Sequence, residues 1–308
     1  MKKLTTLLFL SFLAAIANAQ EVTLHGLGMH ESDVELRVSQ QGSGANDMEY
    51  ILAGYKRKPG KYSVCVEFDM PGSGIFKVMR GNMEELLRSK YGIPRFSFSY
   101  FVGEVNGRVK KDFVYRLPFE EGRLRSLKIL RYEGSQRNKK DKVDRVSYVF
   151  DASEGDDVYA MRKGTVARIE DTGWFLDGFL NDQVLRKANK LVCVEHSDGT
   201  TAYYVGIMDG TLNVEEGTTV YPDTKLGKAG TLDNENYEIR VSVDYYTAPL
   251  MGQLPDFRNV KGNPLDACFL TKEGTVRLED GREYGAATTS DLIYKEMNKR
   301  EKRNRNKK

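Results

Sequence analysis

The stretch LVCVEHSDGTTAYY, residues Leu191 to Tyr204, sets two apolar strand patterns on either side of the turn signal Ser197-Asp198-Gly199. Apolar runs bounded by a Gly-containing turn favour paired extended chain, so strands are expected near residues 190–196 and 200–207. Outward from this hairpin the same grammar repeats. Further strands are expected near residues 146–150, 164–170, 218–221, 225–229 and 237–244, punctuated by Gly155, Gly164, Gly210, Gly217, Gly227 and Gly230. Such spacing describes a compact antiparallel sheet. The last of these strands contains YEIRVSV, Tyr237 to Val243, in which Ile239, Val241 and Val243 share one face. Glu238 and Arg240 must then point together to the other face. A longer insertion, WFLDGFLNDQVLRKANK at 174–190, separates two of the strands, and its Trp174 and Phe175 are candidates to cap whatever lies beside them.

Residues 20–117 also read as strands. DVELRVS alternates Val34, Leu36 and Val38; YSVCVEF alternates Val64, Val66 and Phe68; RFSFSYF places Phe96, Phe98 and Tyr100 on one face. The Asn-Gly of EVNGRV is a hairpin signal. NMEELLRSKYG, residues 82–92, is the one helix-like piece, closed by Gly92. This half is expected to be a small antiparallel, sandwich-like β-domain. A charged linker, GSQRNKKDKVD at 134–144, lies further along.

The two ends carry their own signals. MKKLTTLLFLSFLAAIANAQ has lysines, a short apolar run and small residues at Ala17 and Ala19, the pattern of a secretory signal peptide cleaved near Ala19. Export to a periplasmic or extracellular location follows as the expectation. No later segment is apolar enough to span a bilayer. The net charge is only +3, and residues 286–308 form a basic tail. From Lys295 to Lys308, eight basic residues stand against two acidic ones, which reads as a solvated, frayed end able to meet an anionic surface. For an exported chain with no other basic face, no nucleic-acid partner is expected. Cys65, Cys193 and Cys268 permit one disulfide in an oxidising compartment, with the pairing open. His25 and His30 lie five residues apart near the expected mature N-terminus.

Residues 113–266 resemble the lysostaphin-type (LytM-like) zinc metallopeptidases that cut bacterial cell-wall peptides. The resemblance rests on YRLPFEEG at 115–122; on Asp151, Gly155, Val158, Ala160, Gly164 and Val166 in order; on LVCVEHSDGTTAYY; on Val214, Gly217 and Val220; on LGKAG at 226–230; and on GNPLDACFL. It implies an all-β chain in which the N-terminal β-domain precedes a LytM-like antiparallel β-sheet groove domain of the duplicated hybrid motif type, here residues 118–285. It also implies a zinc held by His, Asp and a second His, with further histidines assisting a bound water.

The histidines for that chemistry are missing. The chain has three, His25, His30 and His196; the first two lie outside the matched region, and His196 falls at a strand end rather than at a metal or catalytic position. Gln136 or Ser147 stands where the first ligand belongs, and Gly206 replaces the catalytic histidine of a Tyr-x-His-Leu motif. The closing His-Leu-His-Phe becomes Glu238-Ile239-Arg240-Val241, leaving Asp151 alone of the ligand set. A guanidinium has no lone pair to give and repels a cation, so no zinc cofactor is expected. The expected vestigial groove is Ser147, Asp151, Gly206, Glu238 and Arg240, with Arg240 bridging Asp151 and Glu238. Tyr203, Tyr204 and Tyr237 are candidate groove-lining residues. The resemblance then implies a non-catalytic binding or regulatory module at peptidoglycan or on a cell-wall hydrolase. The alternatives are an active zinc endopeptidase rebuilt from Asp151, Glu238 and Asp156 or Asp157, and a structural scaffold with a closed groove.

Overall fold

The computed structural model describes residues 22–23, 33–42, 47–69, 73–132, 145–172, 189–231 and 236–305. The signal sequence, His25, His30, the linker with Gln136, and Trp174 and Phe175 lie outside the described residues.

The first seven strands are β1 Val22–Thr23, β2 Val34–Gln41, β3 Glu49–Lys56, β4 Tyr62–Phe68, β5 Gly74–Met79, β6 Met83–Ser89 and β7 Phe96–Val102. They form two sheets, β1-β7-β4-β5 and β2-β3-β6. Val34 and Leu52 from one sheet meet Tyr62, Val64, Val66, Met79, Phe98 and Tyr100 from the other in a shared core. The alternation read from the sequence therefore produces a sandwich: each strand turns every second side chain toward the opposing sheet.

The helix expected over residues 82–92 is instead β6. It pairs with β3, and the register shifts so that Leu52 faces Leu87 while Ala53 faces Glu85. Leu86 is thus the extra residue of a β-bulge, and Leu86 and Leu87 both pack against the sandwich core. Two adjacent apolar residues with helix-favouring neighbours mimic a helical face, but strand pairing overrides that preference.

The second domain begins before Leu117, because Phe113, Tyr115 and Leu117 already belong to its core. Its strands are β8 Val114–Arg116, β9 Leu124–Tyr132, β10 Arg145–Ala152, β11 Asp157–Tyr159, β12 Gly164–Asp171, β13 Asn189–Glu195, β14 Thr200–Met208, β15 Thr219–Val220, β16 Lys225–Lys228, β17 Gly230–Thr231 and β18 Tyr237–Thr247. After them come β19 Leu250–Met251, β20 Leu254–Pro255, β21 Lys261–Pro264, β22 Cys268–Thr271, β23 Gly274–Arg277 and β24 Glu283–Gly285. The main sheet runs β15-β12-β13-β14-β18-β10-β9-β24, with β17 and β21 also paired to β18. One face carries Tyr148, Phe150, Val192, Val194, Tyr204, Ile239, Val241 and Val243 into the core, where they meet Phe119, Leu226 and Phe269. The protein is almost all β, and its sheets are antiparallel, as the patterning predicts, except where β1 joins β7 and β8 joins β22 in parallel. No helix among the described residues is long and apolar enough to cross a membrane.

The Asn-Gly at 106–107 does not close a hairpin. Asn106 adopts φ 57° and docks onto the second domain. Its backbone N–H donates to the Tyr246 carbonyl at 2.9 Å, and its side chain exchanges hydrogen bonds with the Ala248 backbone at 3.0 and 3.1 Å. Beside it, the Lys61 backbone N–H donates to buried Glu195 Oε2 at 2.6 Å, and Lys61 Nζ donates to Glu104 Oε2 at 2.7 Å. Phe101 and Tyr246 stack edge-on at 4.9 Å. Cys65, Cys193 and Cys268 form no disulfide among the described residues, and Cys65 and Cys193 are buried.

The basic tail is not frayed over its described residues. It forms helix α1 Ser290–Tyr294 and helix α2 Lys299–Arg305, and Leu292 and Met297 are buried. Its anchor is Arg162, which has no solvent exposure. Arg162 Nε and Nη2 donate to Glu296 Oε2 and Oε1 at 2.9 and 2.7 Å, and Nη1 donates to Asp198 Oδ2 at 2.9 Å. The Phe113 ring lies 3.6 Å from the guanidinium carbon. Next to it, Lys163 Nζ donates to Glu301 Oε2 at 2.7 Å. Glu296 and Glu301 are thus the tail residues that these two cations hold down.

Burial would raise the Asp198 carboxyl, but the Arg162 charge and hydrogen bond overcome this and bring it down to about 2. A depressed acid contributes stability above its unfolded value near 3.8, which is lost as pH falls through about 2. Denaturant unfolding of the wild type and of Asp198→Asn, followed from pH 5 to pH 2, is expected to show the two converging by roughly 1–2 kcal/mol. A constant difference across that window would contradict the pairing.

Candidate functional site

β18 is central to the site because β10, β14 and β17 flank its first half. On one side β10 places Asp151 opposite Glu238 and Val149 opposite Arg240. On the other, β14 places Val205 opposite Arg240 and Tyr203 opposite Ser242, and β17 places Gly230 opposite Glu238. The period of two puts Glu238, Arg240 and Ser242 together on the face away from the core, with Val149, Val205 and Tyr203 beside them. That second face is largely closed. Cys193, Leu191, Val205, Tyr203, Ser147 and Ser242 are all buried, and exposure rises only toward Glu238 and the exposed Asp151.

The expected three-residue cluster forms in half. Arg240 Nη2 lies 2.7 Å from Glu238 Oε1, but Asp151 takes no part. Its Oδ1 accepts the backbone N–H of Ser126 on β9, the strand that also pairs with β10. The carboxylate is turned toward a strand edge and leaves the guanidinium to Glu238 alone. Arg240 is 9% exposed, and among the described residues its Nε and Nη1 are buried without a hydrogen-bond partner; Glu238 Oε1 has none either, so the contact with Nη2 is an ion pair without hydrogen-bond alignment. Ser242 Oγ, two residues along the same face, is likewise buried without a hydrogen-bond partner among the described residues.

Gly206 is held by backbone geometry. The pairing of β13 with β14 shifts so that Lys190 faces Ile207 while Leu191 faces Val205, which leaves Gly206 as the bulged residue at φ 86°. This is the left-handed region that glycine enters without strain. Beyond the bulge β17 takes the place of β14 beside Glu238. A Cβ on Gly230 would lie 2.6 Å from the Gly206 carbonyl oxygen, so the glycine at 230 lets the two chains meet here.

The tyrosines separate. Tyr204 belongs to the core, not to a groove lining: it is fully buried, and its hydroxyl accepts the Met161 backbone N–H at 2.7 Å. Tyr203 is buried on the second face, with its hydroxyl bonded to that of Tyr246. Tyr237 is half-buried beside Glu154, and burial pushes its hydroxyl pKa up. His196 is fully buried just past β13, its Nδ1 2.8 Å from Thr200 Oγ1. Thr200 Oγ1 donates to Asp198 Oδ1 at 2.8 Å, so the imidazole donates from Nδ1, and Nε2 has no hydrogen-bond partner among the described residues. Burial, with Arg162 nearby, pushes its pKa well down and keeps it neutral. It serves the Arg162 network, which sequence reasoning missed. The only signal was Arg162-Lys163 placed between buried Met161 and Gly164.

The donor set does not fit zinc. The ion needs about four lone-pair donors, of which the protein supplies at least three. Asp151 and Glu238 share the site with a guanidinium already within 2.7 Å of Glu238, and among the described residues no three of His, Cys, Asp and Glu converge.

Fold and site together define an almost all-β chain of two mainly antiparallel domains, with an ion pair on the second face of the larger sheet. No family model matches the chain, and no curated protein matches it in sequence. Among solved structures it is similar to a zinc-containing peptidase from Vibrio cholerae over 68% of its length, at 14% identity and a TM-score of 0.26; the match spans 55% of that protein. The M23 metalloprotease pseudoalterin from the deep sea is matched over 57% of this chain and 96% of its own, at 16% identity and a TM-score of 0.29. Csd3 of Helicobacter pylori is matched over 80% of this chain and 72% of its own, at 12% identity and a TM-score of 0.30.

Proposed function

We propose that this chain is an exported cell-envelope protein whose second domain is a degenerate LytM-like domain without hydrolytic activity, acting as a binding or regulatory module at peptidoglycan or on a cell-wall hydrolase. The observation that carries the reading is Arg240. A permanently charged guanidinium, nine-tenths buried and paired with Glu238, takes the place where the sequence resemblance puts a metal-binding imidazole. Such a pair stabilises the facing carboxylate much as a metal would, while supplying neither Lewis acidity nor an activated water.

The test is the zinc content of the purified protein after exposure to zinc and desalting, followed by co-sedimentation with isolated cell-wall sacculi. No retained zinc and saturable co-sedimentation are expected. One zinc per chain, lost in Asp151→Ala, would overturn the reading and restore the metallopeptidase.

A second reading, a structural scaffold with a closed groove, is favoured by the burial of Leu191, Cys193, Val205 and Tyr203 on the second face. It requires that neither sacculi nor a cell-wall hydrolase be bound.

A further inference from the structure

Two features at the open end of the second face are incomplete as they stand. Asp151 and Glu238 are directly opposed on neighbouring strands, which sets their Cβ atoms about 4.5–5.5 Å apart, a spacing at which like charges oppose pairing. Arg240 compensates Glu238 only, and among the described residues no cation pairs with Asp151. The second feature is Arg240 itself. Among the described residues its Nε and Nη1 are buried N–H donors with no acceptor, an arrangement that folded proteins rarely leave unmade. One place therefore lacks a cation beside two carboxylates, and the adjacent place lacks an anion or carbonyl beside a guanidinium.

We propose that Asp151, Glu238 and Arg240 form a binding site for an α-amino-acid head group, with its ammonium on the two carboxylates and its carboxylate on the free N–H groups of Arg240. A zwitterion is the ligand class that completes both features at once. A simple anion would be repelled by Asp151 and Glu238, and a simple amine would leave the guanidinium donors unmade. Exposure at Asp151 and partial exposure at Glu238 set the direction of approach, so the ammonium end enters beside Asp151 and the carboxylate reaches inward. Val149 and Val205 flank Arg240 and offer no competing polar group. This inference rests on the reading of the domain as a binding module and names what that module takes: a peptide that carries a free α-amino-acid group at one end.

Calorimetric titration of the purified protein tests it with three probes: a tripeptide ending in meso-diaminopimelate, the same peptide N-acetylated on the distal amine, and the same peptide amidated on the distal carboxylate. The free peptide is expected to bind, and each blocked form to bind at least about tenfold more weakly. Arg240→Gln is expected to abolish the preference for the free carboxylate while keeping that for the free amine, and Asp151→Asn to do the reverse. Their circular dichroism shows whether each variant is folded. Equal binding of all three probes would overturn the zwitterion site and leave peptide binding standing. If no probe binds while sacculi still co-sediment with the protein, the zwitterion site alone is overturned; loss of both removes the binding reading as well.

Discussion

Arg162→Met is expected to destabilise the second domain by about 3–5 kcal/mol and to free the C-terminal helices. The side chain is fully buried, and it compensates two carboxylates from distant parts of the chain, Asp198 at a hairpin turn and Glu296 between α1 and α2. Methionine fills much of the volume against Phe113, so the loss measures charge rather than cavity. With the guanidinium gone, Asp198 stays buried without its cation, and Glu296 loses both of its hydrogen bonds to the guanidinium. Equilibrium unfolding in urea gives the energy. Trypsin gives the location, because Lys299, Arg300, Lys302 and Arg303 lie in or next to the released helix. Adding Asp198→Asn to Arg162→Met is expected to recover part of the loss, since two groups in one ion-pair network do not contribute additively. Loss of stability without faster cleavage in the tail would refute the anchoring role.

Placing a histidine at Gly206 is expected to cost about 1–3 kcal/mol and to confer no zinc retention. The residue sits at φ 86° in a bulge, so any side chain meets the left-handed penalty before it reaches a ligand. Gly206→Asn is expected to cost least and Gly206→Val most, because β-branching adds to the strain at that φ. Thermal unfolding of the three variants, with zinc analysis of Gly206→His, reads both halves. If Gly206→His were as stable as the wild type and bound zinc, the glycine would be incidental to the fold and the metal reading would return. The bulge also explains why one substitution cannot rebuild the site: the backbone that would carry the imidazole makes room for β17.

Much of the architecture was legible because the strands obey one rule. In β7, β10 and β18 every second residue enters a core, so alternation in the sequence is alternation in space. The rule fails where pairing slips. Leu86-Leu87 read as a helical face because a bulge puts two neighbours toward one core, and bulges leave no period. Asn106-Gly107 read as a hairpin because its conformation is that of a turn, although its partners lie in the other domain. The site was legible in composition and not in contacts. Alternation placed Glu238 beside Arg240, but only the position of β9 shows that Asp151 turns to Ser126. The tail was misread by counting charges. Eight cations describe a solvated run, whereas Glu296 and Glu301 decide where it goes.

The pairing of β8 with β22 and of β9 with β24 has a consequence for how the protein is made. Ribosomes deliver a chain from its N-terminus, and these early strands wait for partners some 150 residues later. Until residues 268–285 emerge, β9 offers one unpaired edge to any other extended chain. The second domain therefore closes late and all at once, and a nascent or prematurely stopped chain presents a sticky rim instead of a smaller folded protein.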